Sequence, residues 1–187
     1  GAVALAGNQV AMSVGGLLYM VPLGVAGAVA IRVAQARGAG KHTALRPIAW
    51  AALTLATTWL AASAAVLGLY GRTIAGWITD EPEVATVAAG LFFVFAFSQV
   101  MDGLQSTMTG ALRGLSDTGF PAWLSLLAYW ALGLPLGWVL ARPLGIGPAG
   151  VWTGFIVALG LAAVLLVWRF LRQTTPARLS LRAAAEA

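Results

Sequence analysis

A carboxylate stands in the middle of an otherwise apolar stretch of the chain. In "FFVFAFSQVMDGLQSTMTGALRG", residues 92–114, Asp102 follows a run dominated by phenylalanine, valine and alanine. If this stretch is a helix with 3.6 residues per turn, its polar side chains share an arc of about 120°. They are Ser98, Gln99, Asp102, Gln105, Ser106, Thr109 and Arg113. The spacing therefore predicts one continuous polar face, from which only Thr107 points away.

The chemistry of this face depends on the surroundings of Asp102. A charged side chain at the centre of a bilayer costs on the order of 3 kcal/mol on insertion scales. The cost is tolerable if the group faces a wet cavity, carries a proton or binds a cation, so Asp102 is a candidate cation-coupling residue for H⁺ or a transient Na⁺. Ser98, Gln105 and Thr109 could add neutral oxygens for a hard cation, and Gln99 could line the same cavity. The alternative is an aspartate that only joins helices through hydrogen bonds.

The composition indicates that the chain lies in a membrane. Of its 187 residues 60% are hydrophobic and only 9% are charged, with a mean hydropathy of +0.87. A soluble domain carries roughly a quarter charged residues, so a soluble fold with a buried core is the weaker alternative. The net charge of +5 raises nucleic-acid binding as a further alternative, but the cations stand in short loops and a tail, as membrane topology requires. We therefore predict lipid and no nucleic acid as a partner.

Charged residues divide the sequence into five apolar stretches, each near or above the roughly 20 residues that a helix needs to cross a bilayer. None shows the alternation of period two that membrane barrel strands require. The sequence therefore predicts an all-α polytopic membrane protein with five transmembrane helices. The predicted helices cover residues 10–31, 48–71, 84–112, 119–141 and 150–168.

The distribution of basic residues predicts the orientation. Nine of the eleven Lys and Arg residues fall on one side of the predicted membrane: Arg32, Arg37, Lys41, Arg46, Arg113, Arg169, Arg172, Arg178 and Arg182. Cytoplasmic loops carry the excess of Lys and Arg, so we predict an extracytoplasmic N-terminus, a cytoplasmic C-terminus and a basic cytoplasmic tail at residues 174–187. Because residue 1 is a glycine that leads outside the cell directly into a span, we expect at least one further span upstream.

Several residues inside the predicted spans have two readings. Pro22 and Pro135 remove a backbone hydrogen bond from their helices and act either as hinges or as static bends. Tyr19, Tyr129 and Trp130 could line an apolar drug cavity or belong to ordinary packing. Most tryptophans, among them Trp152, fall near span ends, as interfacial aromatics do. We find no phosphate-binding glycine loop, metal cluster or nucleophile triad, and predict neither an enzyme nor a bound cofactor.

Several motifs, in order along the chain, resemble one transporter family. "LAGNQVAMSVGGLLYMVPLGVAGAVAIRVAQARGAGK" resembles the eighth helix of MATE (multidrug and toxic compound extrusion) transporters. "DEPEV" resembles the start of their tenth helix, and "DGLQSTMTGALRGLSDTGFP" its body and the loop after it. "AYWALGLPLGW" is similar to the eleventh helix and "GPAGVWTGF" to the start of the twelfth. Each motif alone is weakly specific, but the ordered set covers essentially the whole chain.

The resemblance implies a fold and a function. The family has twelve helices in two lobes, so residues 1–173 would be helices eight to twelve of the C-terminal lobe, with the N-terminal lobe as their missing partner. The family exchanges Na⁺ or H⁺ for organic, often cationic, compounds across the cytoplasmic (inner) membrane. Asp102 matches the acidic residue of the tenth helix in the family's C-lobe cation site. The alternatives are a related flippase of lipid-linked oligosaccharides and a truncated membrane fragment that does not transport.

Overall fold

The computed structural model describes residues 1–176, and five of its helical segments are long and apolar enough to cross a membrane. The first three spans are the helices α1 (Ala2–Gly38), α2 (Leu45–Gly76) and α3 (Pro82–Gly114). The fourth consists of α4 (Gly119–Leu126), a π-helical segment (Leu127–Gly133) and α5 (Leu134–Ala141), and the fifth is α6 (Pro148–Gln173). The predicted all-α class with five spans is confirmed. Of the predicted tail, residues 177–187 lie outside the described residues.

The helices extend beyond the apolar stretches from which they were predicted. α1 begins at Ala2 rather than at residue 10, and α6 ends at Gln173 rather than at residue 168. Polar residues such as Asn8 stop a hydropathy run but do not stop a helix, because the backbone bonds within a helix do not depend on side-chain polarity. Helix ends are consequently the least accurate part of the prediction.

α3 is the central helix and packs against α1, α2 and α6. Two apolar clusters lie along it. One contains Val33, Met108 and Phe170 at the end of the bundle that carries Arg37, Arg46 and Arg169, which we call the basic end. The other contains Val10, Leu67 and Phe92 at the opposite end, which we call the far end. The part of α3 between the two clusters carries Ser98 and Asp102.

Glycines permit the close contacts of α1 with α3 and of α5 with α6. A Cβ atom on Gly110 would lie 2.2 Å from the backbone oxygen of Ala26, and one on Gly154 would lie 2.4 Å from the backbone nitrogen of Gly137. No side chain fits at such distances. Small residues at helix crossings are the usual means by which membrane helices approach each other, and here they hold α1 and α6 close to their neighbours.

The two prolines predicted as hinges or bends have different surroundings. Pro22 is fully buried within α1, which remains helical from Ala2 to Gly38. Pro135 directly follows the π-helical segment, where the N–H of Leu134 bonds to the oxygen of Tyr129, five residues earlier. A proline ring clashes with the carbonyl four residues before it in a regular α-helix, and the wider π turn lies where that clash would arise. A hinge role at either proline stays a prediction.

Candidate functional site

A cavity of about 370 Å³ opens between α1, α3, the π-helical segment and α6 near the middle of the bundle. Asp102 lies in its wall and is partly buried. The wall otherwise consists of aromatic rings, aliphatic groups and uncharged polar groups. The lining residues are Met12, Gly16, Tyr19, Phe95, Ser98, Gln99, Asp102, Tyr129, Trp152, Phe155 and Leu159.

The π-helical segment places a hydrogen-bond donor on the carboxylate. The hydroxyl of Tyr129 donates to Oδ1 of Asp102 at 2.9 Å. On the opposite side, the hydroxyl of Tyr19 in α1 forms a hydrogen bond with the hydroxyl of Ser106, one turn beyond Asp102 on α3. Two tyrosines from different helices therefore border the polar face of α3. A tyrosine hydroxyl is a suitable neighbour for a buried carboxylate because it can donate without carrying charge.

Only part of the predicted polar face reaches the cavity. Ser98, which is 4% exposed, lines it while its hydroxyl donates to the backbone oxygen of Phe95 at 2.7 Å. Gln99 also lines it, and its Oε1 is buried without a hydrogen-bond partner among the described residues. Gln105 instead points at α4, where its Nε2 donates to Oγ of Ser125 at 2.7 Å. Thr109 does not line the cavity either, and its hydroxyl is buried without a partner in the described part of the chain.

Of the aromatic residues that were candidates for a cavity wall, likewise only some reach the cavity. Tyr19 and Tyr129 line the cavity, but Trp130 is 68% exposed on the outer surface and takes no part in it. The helical register explains the difference, because neighbouring residues in a helix point in directions about 100° apart. Trp130 therefore does not line this cavity.

Trp152 lies near the start of α6, as expected for a tryptophan near a span end, but it packs between helices in the cavity wall. Its ring makes an edge-to-face contact with Phe95 at 4.4 Å between centroids and lies 6.1 Å from Phe155. Its Nε1 donates to Oδ1 of Asn8 in α1 at 3.0 Å. No local pattern in the sequence distinguishes it from the other tryptophans at span ends, because the distinction lies in the packing of α6.

The arrangement can bind a small cation or a proton. One carboxylate faces a partly open cavity whose other polar groups are hydroxyls, an amide and an indole N–H. The oxygens among them are neutral ligands for a hard cation. Among residues 1–176, no three His, Asp or Glu side chains lie close enough together to hold a metal ion. The donor set therefore suits an ion that binds and leaves, held chiefly by one negative charge.

The fold and this site define a polytopic helical membrane protein with a single carboxylate in a cavity between its helices. Comparison with known proteins identifies the family, because residues 1–139 match the MatE family. The chain belongs to the MatE family, as its motifs indicated.

Individual relatives agree with the family assignment. The chain is 43% identical over 177 residues to the "Probable multidrug resistance protein NorM" of Xanthomonas axonopodis, with 94% of the chain and 38% of the relative covered. The protein of the same name in Rhizobium meliloti is 38% identical over 177 residues, which are 92% of the chain and 38% of the relative. The crystal structure of the eukaryotic MATE transporter AtDTX14 superposes with a TM-score of 0.82 at 24% identity, covering 94% of this chain and 40% of that one. The chain thus spans about 38% of the length of the curated relatives it matches.

Proposed function

We propose that this chain is part of an antiporter that exports organic, often cationic, drugs or toxic compounds in exchange for H⁺ or Na⁺, with Asp102 as the residue that takes up the coupling ion. The relatives named as multidrug resistance proteins support the export of drugs. The observation that carries the role of Asp102 is its position in the wall of the 370 Å³ cavity, where its Oδ1 accepts a hydrogen bond from Tyr129.

The site suits reversible uptake of a cation because it carries one carboxylate and its other polar groups are uncharged. The carboxylate attracts a cation more strongly beside apolar walls than in bulk water, because screening by water is reduced there. Ser98 and Gln99 lie in the same wall, and their side-chain oxygens would replace part of the water shell of Na⁺. A proton needs only the carboxylate, so both coupling ions remain within this proposal.

The arrangement of the basic residues supports the proposed orientation in the cytoplasmic membrane. Arg37 reaches across to the turn after α3, and Arg46 reaches to the end of α6. The basic residues of separate loops thus gather at one end of the bundle, which the distribution of Lys and Arg assigns to the cytoplasm. The N-terminus would then be extracytoplasmic. The family resemblance adds an N-terminal lobe as the partner in transport and implies a carrier rather than an enzyme.

Replacement of Asp102 by Asn tests the coupling role. The change Asp102→Asn keeps the shape of the side chain and removes its charge, so we expect cation-driven efflux of a fluorescent organic cation to fall at least tenfold. Efflux should be measured in vesicles from cells that produce the protein at the full length that its gene encodes. Sodium and pH gradients should be imposed separately. The gradient that drives efflux in the unchanged protein identifies the coupling ion.

The matched control is Asp80→Asn, because Asp80 is an exposed carboxylate in the turn before α3. It should leave efflux unchanged, and both variants should reach the membrane in equal amounts. Unchanged efflux by the Asp102→Asn protein would refute the coupling role.

A flippase for lipid-linked oligosaccharides fits the site less well. Such a carrier must neutralise the phosphates of its substrate, which requires basic side chains in the cavity. The only charged residue that lines this cavity among residues 1–176 is the acidic Asp102.

A further inference from the structure

A second cavity lies next to the first, at the far end of the bundle. It has a volume of about 310 Å³ and lies between the beginnings of α1 and α6, with Asn8 and Pro148 in its wall. Trp152 lines both this cavity and the one that contains Asp102. The indole ring therefore lies where the two cavities meet.

Trp152 is held in this position by contacts from two other helices. Asn8 of α1 accepts the hydrogen bond from its Nε1 at 3.0 Å, and Phe95 of α3 meets its ring edge-to-face at 4.4 Å. Phe95 is itself fixed, because its ring occupies the space beside Gly15, where a Cβ atom would lie 1.7 Å from it. The position of the indole thus depends on this hydrogen bond and on its ring contacts with Phe95 and Phe155, and the loss of the hydrogen bond would weaken its hold.

We propose that Asn8 and Trp152 form a gate between the far end of the bundle and the cavity of Asp102, which controls the access of water and of the coupling cation from that side. The inference rests on the proposed function, which supplies the cation that the gate would admit. An indole ring across the path blocks a hydrated cation, whereas the second cavity already extends to the far end of α1 and α6. Rotation of the ring away from Asn8 would join the two cavities.

The geometry distinguishes a gate from an interfacial anchor. An anchor would direct its N–H towards the lipid headgroups, as tryptophans at membrane surfaces do. The N–H of Trp152 instead bonds across the bundle to Asn8. Trp168, on the same helix, is 51% exposed and lines neither cavity. Its replacement therefore serves as the matched control for a change at Trp152.

Cysteine accessibility tests the gate directly, because this chain contributes no cysteine, and the protein without introduced cysteines measures the background from any cysteine outside it. Ser98→Cys places a thiol of similar size in the wall of the Asp102 cavity. The probe is a charged methanethiosulfonate reagent that cannot cross membranes, applied separately to right-side-out and inside-out vesicles. When the full-length protein carries Ser98→Cys alone, we expect the reagent to modify this thiol slowly from the side of the far end.

Opening the gate should accelerate that modification. Combined with Ser98→Cys, Trp152→Ala should raise the rate from the far-end side at least tenfold. Asn8→Ala removes the acceptor of the indole N–H together with the contact of Asn8 with Met12, and Trp152→Phe leaves a smaller ring that cannot donate. Each should raise the rate about threefold, and Trp168→Ala should not change it. The variants Trp152→Phe and Asn8→Ala keep the test decisive even if Trp152→Ala does not fold.

A second reporter controls for orientation and for general loosening. Ala4→Cys places a thiol in the second cavity, outside the gate, and its rate identifies which vesicle side the far end faces. Its rate should be the same with and without Trp152→Ala. The proposal is overturned if Ser98→Cys reacts equally fast whether or not the gate residues are changed, or if Trp168→Ala accelerates it as much. Because labelling does not require transport, a failure of the coupling role of Asp102 would appear in efflux and leave these rates unaffected.

Discussion

At the scale of single residues, the surroundings of Asp102 leave its negative charge without a fixed basic partner. The carboxylate interacts with the hydroxyls of Tyr129 and Tyr19, and no basic side chain among residues 1–176 lines its cavity. A fixed arginine partner would neutralise the group permanently and compete with any cation. A hydroxyl donor orients the carboxylate, keeps its negative charge available and can turn away when an ion binds.

The hydroxyl of Tyr129 should therefore set the affinity for the coupling ion. Tyr129→Phe keeps the ring, whose centroid lies 5.7 Å from that of Phe155, and removes only the bond to Asp102. A hydrogen bond to a charged group is worth about 1.5–3 kcal/mol, and without it the carboxylate has more to gain from a cation. We expect the half-saturating concentration of the driving cation to fall about tenfold or more, measured from the cation dependence of efflux.

The matched control for this change is Tyr70→Phe, because Tyr70 is 58% exposed near the end of α2. It should leave the cation dependence as it is. Equal half-saturating concentrations in the Tyr129→Phe protein and the unchanged protein would contradict a role of this hydroxyl in ion affinity.

At the scale of helices, the sequence allowed the spans and the polar face to be predicted, but not the partners of that face. Bilayer-length apolar runs leave little choice other than helices, and a period of 3.6 residues places Ser98 and Asp102 on one side. The same period cannot show which helix faces that side. Gln105 consequently meets α4 rather than the cavity, and Tyr129 meets Asp102 from a π-helical segment that shifts the register of the fourth span. The cavity position of Trp152 could not be predicted either, because its contacts come from α1 and α3.

The packing of α1 on α3 depends on glycines, which a pair of variants on one helix can test. Gly110→Ala would place a methyl group 2.2 Å from the backbone oxygen of Ala26, whereas Gly90→Ala would meet no atom within 4 Å. Overpacking a close contact costs typically 1–3 kcal/mol, and a backbone oxygen cannot move aside as a flexible side chain can. We expect Gly110→Ala to lower the melting temperature of the detergent-purified protein clearly and Gly90→Ala to leave it nearly unchanged. Equal melting temperatures would show that α1 and α3 can separate at little cost.

At the scale of the whole molecule, the two ends of the bundle are held together by different chemistry. The far end carries the hydrogen bond of Trp152 to Asn8, and the basic end carries a network of charged and polar groups around the turn after α3. Arg37 donates to the backbone oxygen of Leu115 at 2.7 Å, and Arg169 of α6 meets Asp117 at 2.8 Å. This turn includes Ser116, whose φ of 61° is rare for a residue other than glycine. The network therefore joins α1, α3 and α6 through a turn that would not adopt its shape by itself.

The ion pair of Asp117 with Arg169 should consequently contribute to the stability of the whole bundle. The side chain of Asp117 is only 11% exposed, and it also accepts a hydrogen bond from Gln173. Exposed pairs contribute about 0.2–1 kcal/mol, and removal of one partner from a buried pair costs about 3–5 kcal/mol, so a partly buried pair should lie between these limits. We expect Asp117→Asn to destabilise the purified protein by about 1–3 kcal/mol.

A double-mutant cycle separates the pair from the other contacts of its members, since Arg169 also stacks on Phe120 at 4.7 Å. Asp117→Asn combined with Arg169→Gln should cost less than the sum of the two single changes, by about 1 kcal/mol or more, and Asp80→Asn should change little. Additive costs would mean that the two charges act independently. A clear coupling would give Arg169 two roles that arise from one charge, because the residue that helps to orient the chain in the membrane would also hold the turn that connects α3 to the fourth span.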